Sequence, residues 1–328
     1  MPLHVWMPLA YSAAPFPAAA VMSGAAVKAG VIGLIRFLPL DSAQPRLGGA
    51  LAAIGLFSAF YGVVVGVAQR NPKAVLAYSS VSQMGLLAAV FGMGLAAGDA
   101  GTASAASFYA AHHVLVKGGL FLALGVVSAT RARGAWPVLL PAAVLALGLG
   151  GLPLTGGALA KWAVKAPLGE GMVGFLATLS AAGSTLLMLH FLHLLATTAA
   201  KDAGQGASAG RSLPWLATAF ASVALPWALF LTVAHGSWRD VLAPKELWAA
   251  LWPIGIGALL AVALRRFGQA LPRVPEGDVV VVAERAANAI RGWSEIVERA
   301  DGRLRQWPVA GVWLLAVAGL LGALAWAR

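Results

Sequence analysis

The chain has 328 residues, 60% of them hydrophobic and 11% charged, with a mean hydropathy of +0.81; a soluble domain carries about 25% charged residues. These values exclude an ordinary soluble domain and indicate a polytopic membrane protein, in which 39 glycines and 18 prolines are tolerated. The lack of cysteine excludes disulfides and cysteine-ligated iron–sulfur clusters in this chain, and the formal charge of +11 is explained first by basic cytoplasmic loops rather than by nucleic acid.

In chain order, residues 1–16 are too short and too rich in proline to span a bilayer. Apolar runs of spanning length follow near 17–38, 48–69, 75–98, 104–130, 136–167, 172–199, 213–235, 246–265 and 307–327. The expected fold is therefore all-α, a polytopic membrane helix bundle of about nine spans. The fifth run holds GLGGLPLTGG, where Gly148, Gly150, Gly151, Pro153, Gly156 and Gly157 should unwind the helix. A broken membrane helix survives where it is buried in protein or lines a water-filled cavity. The alternative is a tight turn between two re-entrant segments. Segment 200–212 reads as a flexible loop. From Pro275 and the capping candidate Asp278, apolar residues from Val282 through Ile290, Trp293 and Val297 to Leu304 recur every three or four positions, up to Pro308. That pattern predicts a cytoplasmic amphipathic helix, on the membrane surface or on a neighbouring subunit, with a solvated loop helix as the alternative. The expected divisions are 1–16 as a partial leading segment and 17–199 as the core. Residues 200–266 form further membrane helices, 267–306 the amphipathic helix and 307–328 the final span.

Alternating the loops between two sides puts fourteen basic residues on one and five on the other, with Lys28, Lys117, Lys161 and Lys165 in or near spans. The basic side includes Arg70, Lys73, Arg131, Arg133, Arg265 and Arg266, and a bias of this kind places basic loops in the cytoplasm.

Lys28, Lys117 and Lys161 lie within or beside apolar runs. An ionised lysine at the centre of a membrane helix costs roughly 2.5–3.5 kcal/mol on insertion scales, so such residues are candidates for an ion or proton path. The bland alternative is snorkelling to an interface. All twelve acidic residues fall in loops, at helix ends or on the amphipathic helix, so no intramembrane lysine has a carboxylate partner from this chain. A buried amine without a counter-ion gives up its proton more readily than an exposed one, and a relay needs groups that both bind and release protons. Tyr109, His113 and Lys117 follow at steps of four on one helical face, with His112 beside them. They form a relay candidate, or else a set of interhelical hydrogen bonds. Secondary polar candidates are Tyr78, Ser79 and Ser82 at the start of the third span, where Gln83 is polar too, and His190 and His193, three apart in the sixth. The histidine pair lacks a third ligand type, so no metal site is expected. No nucleophile set or phosphate loop stands out, and no cofactor is expected.

Four stretches resemble one family in order. HVWMPLAYSAAPFPAAAVMSGAAVKAGVIGLIR, NPKAVLAYSSVSQMG, AAHHVLVKGGLFLALG and GLPLTGGALAKW are similar to motifs of the antiporter-like membrane subunits of respiratory complex I, energy-converting hydrogenases and Mrp-type antiporters. The resemblance implies proton translocation across the inner membrane through buried lysines and histidines. By motif position it makes Lys28 a linking lysine, Lys117 with His113 the central relay, and Lys161 on the broken helix the lysine of an exit half-channel. Ile32 stands where the family has tyrosine and His112 where it has asparagine. The family carries a glutamate and lysine pair ahead of the first motif, so the expectation is that only the C-terminal part of that fold is present. The other half would come from a longer reading frame or from a partner chain. The resulting expectation is a proton-translocating subunit of a redox-driven bacterial inner-membrane complex, with other membrane subunits and the bilayer as partners and no nucleic acid. Redox chemistry would lie in other subunits. The alternatives are membership of an Mrp-type Na⁺/H⁺ antiporter and a non-conducting, structural role.

Overall fold

A computed structural model describes residues 3–130, 134–199, 209–234, 236–268, 274–289, 297–299, 301–303 and 305–326. The described residues divide into two compact units, Met1–Glu276 and Gly277–Arg328.

The first unit opens with a 3₁₀ turn and helix α1 (Trp6–Ala13). Helix α2 (Phe16–Phe37) follows, with a π-helical turn at Met22–Ala26. Then come α3 (Pro45–Val67), α4 (Pro72–Ala97) and α5 (Thr102–Ser128). The broken run is α6 (Trp136–Gly150), α7 (Gly156–Ala163) and the single turn α8 (Lys165–Leu168). The unit ends with α9 (Met172–Thr197), α10 (Ala209–Val233), the short α11 (Trp238–Val241) and α12 (Pro244–Phe267). Among the described residues seven helices, α2 to α5, α9, α10 and α12, are long and apolar enough to cross a membrane. An eighth is reached when the bent pair Val297–Arg303 and Trp307–Ala323 counts as one span. The all-α polytopic bundle expected from the sequence is what the structure shows, and the segment at 136–167 is the broken one.

Local chemistry sets the ends. Pro45, Pro72 and Pro244 open α3, α4 and α12, where a missing N–H costs nothing. Asn71 caps α4, its side chain accepting from the Lys73 N–H at 2.9 Å. Gly98, at φ 70°, closes it in the left-handed conformation that glycine adopts without penalty.

The tightest packing joins α3 to α4. Gly48, Gly55 and Gly62 recur every seven residues on α3 and face Gly92, Gly85 and the Tyr78–Ser82 turn of α4 at backbone contact. Small residues let membrane helices approach this closely. A Cβ at Gly85 would sit 2.5 Å from the Ala59 nitrogen. Gly85→Val should therefore force the helices apart and cost about 1–3 kcal/mol. Thermal unfolding of the solubilised protein should show the loss, whereas Gly33→Val, facing open space, should not. Equal midpoints for the two variants would contradict this packing.

Helix α5 is the hub, packed against α2, α4, α6, α7 and α10. Helix α9 packs on α3, α4, α6 and α12. Helix α4 lies between these groups and is buried along most of its length, including Ser79, Ser80, Ser82 and Gln83. A polar run inside a bundle rather than against lipid is thereby explained.

Two expectations need correction. Of the loop read at 200–212, the part from Ala209 on is helical, since Ala209–Val233 takes in Arg211 and Ser212; residues 200–208 lie outside the described residues. In the second unit the described amphipathic helix is α13 (Val279–Ala289), with Asp278 accepting from the Val279 N–H. Helical residues follow at 297–299 and 301–303, with Arg305 paired to Asp301 at 2.8 Å. Ile290, Trp293, Leu304 and the expected helix at 269–273 and 291–296 lie outside the described residues. Pro308 stands near the start of α14 (Trp307–Trp326), so it opens the last helix rather than ending the one before, whose described residues stop at Arg303.

Candidate functional site

The crossing of α2, α4 and α5 brings two of the three lysines together. Lys28 follows the π turn of α2, which carries the Ser23 carbonyl and the Lys28 amine inward. The Lys28 Nζ lies 2.5 Å from His113 Nδ1 on α5 and 3.3 Å from the Ser23 carbonyl oxygen. Both Lys28 and His113 are buried. One turn further along α5, Lys117 is fully buried. Its amine donates to the Leu76 carbonyl at 2.8 Å and to the Ser79 hydroxyl. That carbonyl also accepts from the Ser79 and Ser80 hydroxyls at 3.0 and 3.2 Å. No carboxylate pairs with Lys28, Lys117 or Lys161 among the described residues.

The Lys28–His113 contact serves a proton in either place. An ammonium donates to a bare Nδ1, and an Nδ1–H donates to a neutral amine. The other ring nitrogen, His113 Nε2, is buried without a hydrogen-bond partner among the described residues. A histidine that meets one lysine across a helix crossing and has a second one turn along its own helix is chemically able to pass a proton.

The other expected residues divide between this cluster and other places. Ser79 joins it, as contact with Lys117. Tyr109 points instead to Gln83, donating to its Oε1, and Gln83 Nε2 donates to the Ser184 hydroxyl of α9 at 2.7 Å. Ser82 is buried on α4. Tyr78 faces another way and donates to the Glu276 carbonyl at 3.0 Å. His190 binds the Gln69 carbonyl at 2.8 Å, and His193 is exposed, so neither meets the lysines. His112, next to His113, faces the broken run, where a Cβ on Gly156 would come within 2.9 Å of its ring.

The break itself spans only Gly151–Thr155; Gly148 and Gly150 end α6, and Gly156 and Gly157 begin α7. Gly151 takes φ 98° and its N–H closes on the Gly148 carbonyl at 2.8 Å; Leu154 takes φ 66°. The next turn carries Lys161, whose amine is buried and has no hydrogen-bond partner among the described residues. A cleft of about 370 Å³ opens here, lined by Lys161, Gly150, Gly151 and Pro153 together with residues of α4, α9 and α12. So a broken helix does line a cavity, as its survival in a bilayer requires.

Among the described residues no cluster of three or more histidine, aspartate or glutamate side chains is placed to hold a metal. Sequence reasoning missed the Leu76 carbonyl and Ser184, and marked Gln83 as one of the polar residues of the third span without its bridging contacts. Its signal was an amide in an apolar helix.

The family model described as NADH:quinone oxidoreductase/Mrp antiporter, transmembrane, matches residues 1–187. The chain belongs to this family. The matched stretch contains Lys28, Gln83, Tyr109, His113, Lys117, Lys161 and Ser184, and ends before His190 and His193. NADH-quinone oxidoreductase subunit N of Desulforudis audaxviator is 34% identical over 233 residues, covering 65% of this chain and 45% of that protein. Hydrogenase-4 component B of Escherichia coli is 37% identical over 139 residues, 39% of this chain and 20% of that protein. One Na(+)/H(+) antiporter subunit of Bacillus subtilis is 34% identical over 134 residues, 38% of this chain and 17% of that protein. The chain thus spans less than half the length of these relatives. In this NADH:quinone oxidoreductase/Mrp family member, the buried lysines lie in the part that the family model matches.

Proposed function

We propose that this chain is a proton-translocating subunit of a redox-driven membrane complex, moving protons through Lys28, His113 and Lys117 and onward to Lys161. The observation that carries the reading is the 2.5 Å contact between the Lys28 amine and His113 Nδ1, buried and one turn from Lys117. A buried cluster of amines without carboxylates is costly to keep as mere packing. The core would be residues 17–199, with the basic loops on the cytoplasmic side of a bacterial inner membrane. Other membrane subunits would be its partners, and a neighbouring helix of that assembly would bring the carboxylate that balances Lys28 and Lys117.

Relatives named for NADH-quinone oxidoreductase and hydrogenase-4 support redox drive, and the relative named for a Na(+)/H(+) antiporter supports the second reading, cation exchange. Inverted vesicles from cells that make the whole complex separate the two. Redox drive requires vesicle acidification that depends on an electron donor and persists without Na⁺. Proton exchange that needs a Na⁺ gradient and no donor would replace it with the antiporter reading.

A further inference from the structure

The cleft at the broken run has two ends of different character. Inside lies the Lys161 amine, shielded and unpartnered among the described residues. Outside, the Lys165 amine meets the Glu246 carboxylate at 2.7 Å, with side chains 46% and 22% exposed. Lys165 follows Lys161 by four residues, and Glu246 stands in the first turn of α12. The pair therefore ties the end of the broken run to α12, and both residues line the cleft. Between the two ends the wall is partly apolar, with Leu86, Trp162 and Phe175, and partly polar, with Thr178 and the backbone of the break. The wall is more apolar than polar, and a cleft of this volume has room for on the order of ten waters, held where Lys161, Thr178 and the backbone of the break offer polar partners.

We propose that the Lys165–Glu246 ion pair is the gate of this cleft: paired, it closes the water route between Lys161 and the surface, and separated, it opens it. Its role in transport rests on the proton-carrying reading of Lys161; its control of water access does not. A pair this exposed is weak. It opens often, and its removal raises access several-fold rather than by orders of magnitude. The pair would act as a positioning element, holding α8 against α12, and the proton would pass by water from Lys161.

The chain has no cysteine, so one introduced thiol reports one position. Ala181 and Ala158 both line the cleft, Ala181 deep in it at 5% exposure. Ala181→Cys and Ala158→Cys, each in the full chain in native membranes, would be labelled with a small charged methanethiosulfonate added from either side. Slow labelling from one side is expected, faster by about three- to fivefold when Glu246→Gln or Lys165→Gln is added. The double exchange Lys165→Glu with Glu246→Lys should return the slow rate, which a merely loosened fold would not do. Rates indifferent to both single changes overturn the gate. So does an exchange that stays fast, or a lack of labelling at both positions in every background, as when lipid fills the cleft. Labelling reads water access and not transport, so the gate can fail while Lys161 remains necessary for proton movement, and the reverse.

Discussion

Replacing Lys117 with methionine should sharply reduce proton movement and leave the bundle at least as stable. Among the described residues the amine donates only to the Leu76 carbonyl and the Ser79 hydroxyl. With Lys117 gone, Ser79 and Ser80 still donate to that carbonyl, so no buried polar group is orphaned. Methionine fills a similar volume and removes an amine that is costly to bury. Stability should hold or rise by up to about 3 kcal/mol, the insertion cost of a lysine at a helix centre. Proton movement should fall by more than about tenfold, since positioned proton-transfer groups contribute on the order of 10²–10⁴. Thermal unfolding and vesicle acidification read the two quantities separately. Retained proton movement in an assembled Lys117→Met complex would give this chain a structural role instead.

Two glycines flanking the break should respond in opposite ways to the same substitution. A Cβ on Gly157 would lie 1.7 Å from the Gly148 carbonyl oxygen, a backbone atom that cannot step aside alone. Gly157→Ala should push α7 off α6, carry Lys161 out of its place, and cost about 3 kcal/mol, the upper end of overpacking. A Cβ on Gly148 meets the Thr155 hydroxyl at 3.4 Å, an ordinary contact. Gly148→Ala should leave stability unchanged or raise it by about 0.5–1 kcal/mol through helix propensity. Unfolding midpoints that fall equally in both variants would show that the break is not held by this close approach.

What could be read from the sequence was whatever repeats or interrupts along one helix. Apolar length gave the spans, the glycines and Pro153 gave the break, and steps of four put Tyr109, His113 and Lys117 on one face. Contacts between helices could not be read. Lys28 meets His113 across 85 residues, and Gln83 meets Ser184 across 101. The histidines show the limit well. Neighbours on a helix point about 100° apart, so His112 and His113 could not both face Lys28. Which one does depends on how α5 turns against α2 and α7, and glycine contacts such as Gly156 with His112 help set that. Tyr78 misled in the same way. It stands one residue before Ser79, which holds Lys117, yet it points to the Glu276 carbonyl. The role of Leu76 was invisible, because its working atom is a backbone oxygen.

The central claim is that protons pass through the contact between Lys28 and His113. A double-mutant cycle on proton movement tests it most directly, with Lys28→Met, His113→Leu and both together in the assembled complex. If the two residues form one step, each single change removes most of the flux and the double change removes little more. Losses that multiply, or single variants that still carry wild-type flux, would contradict a path through that contact.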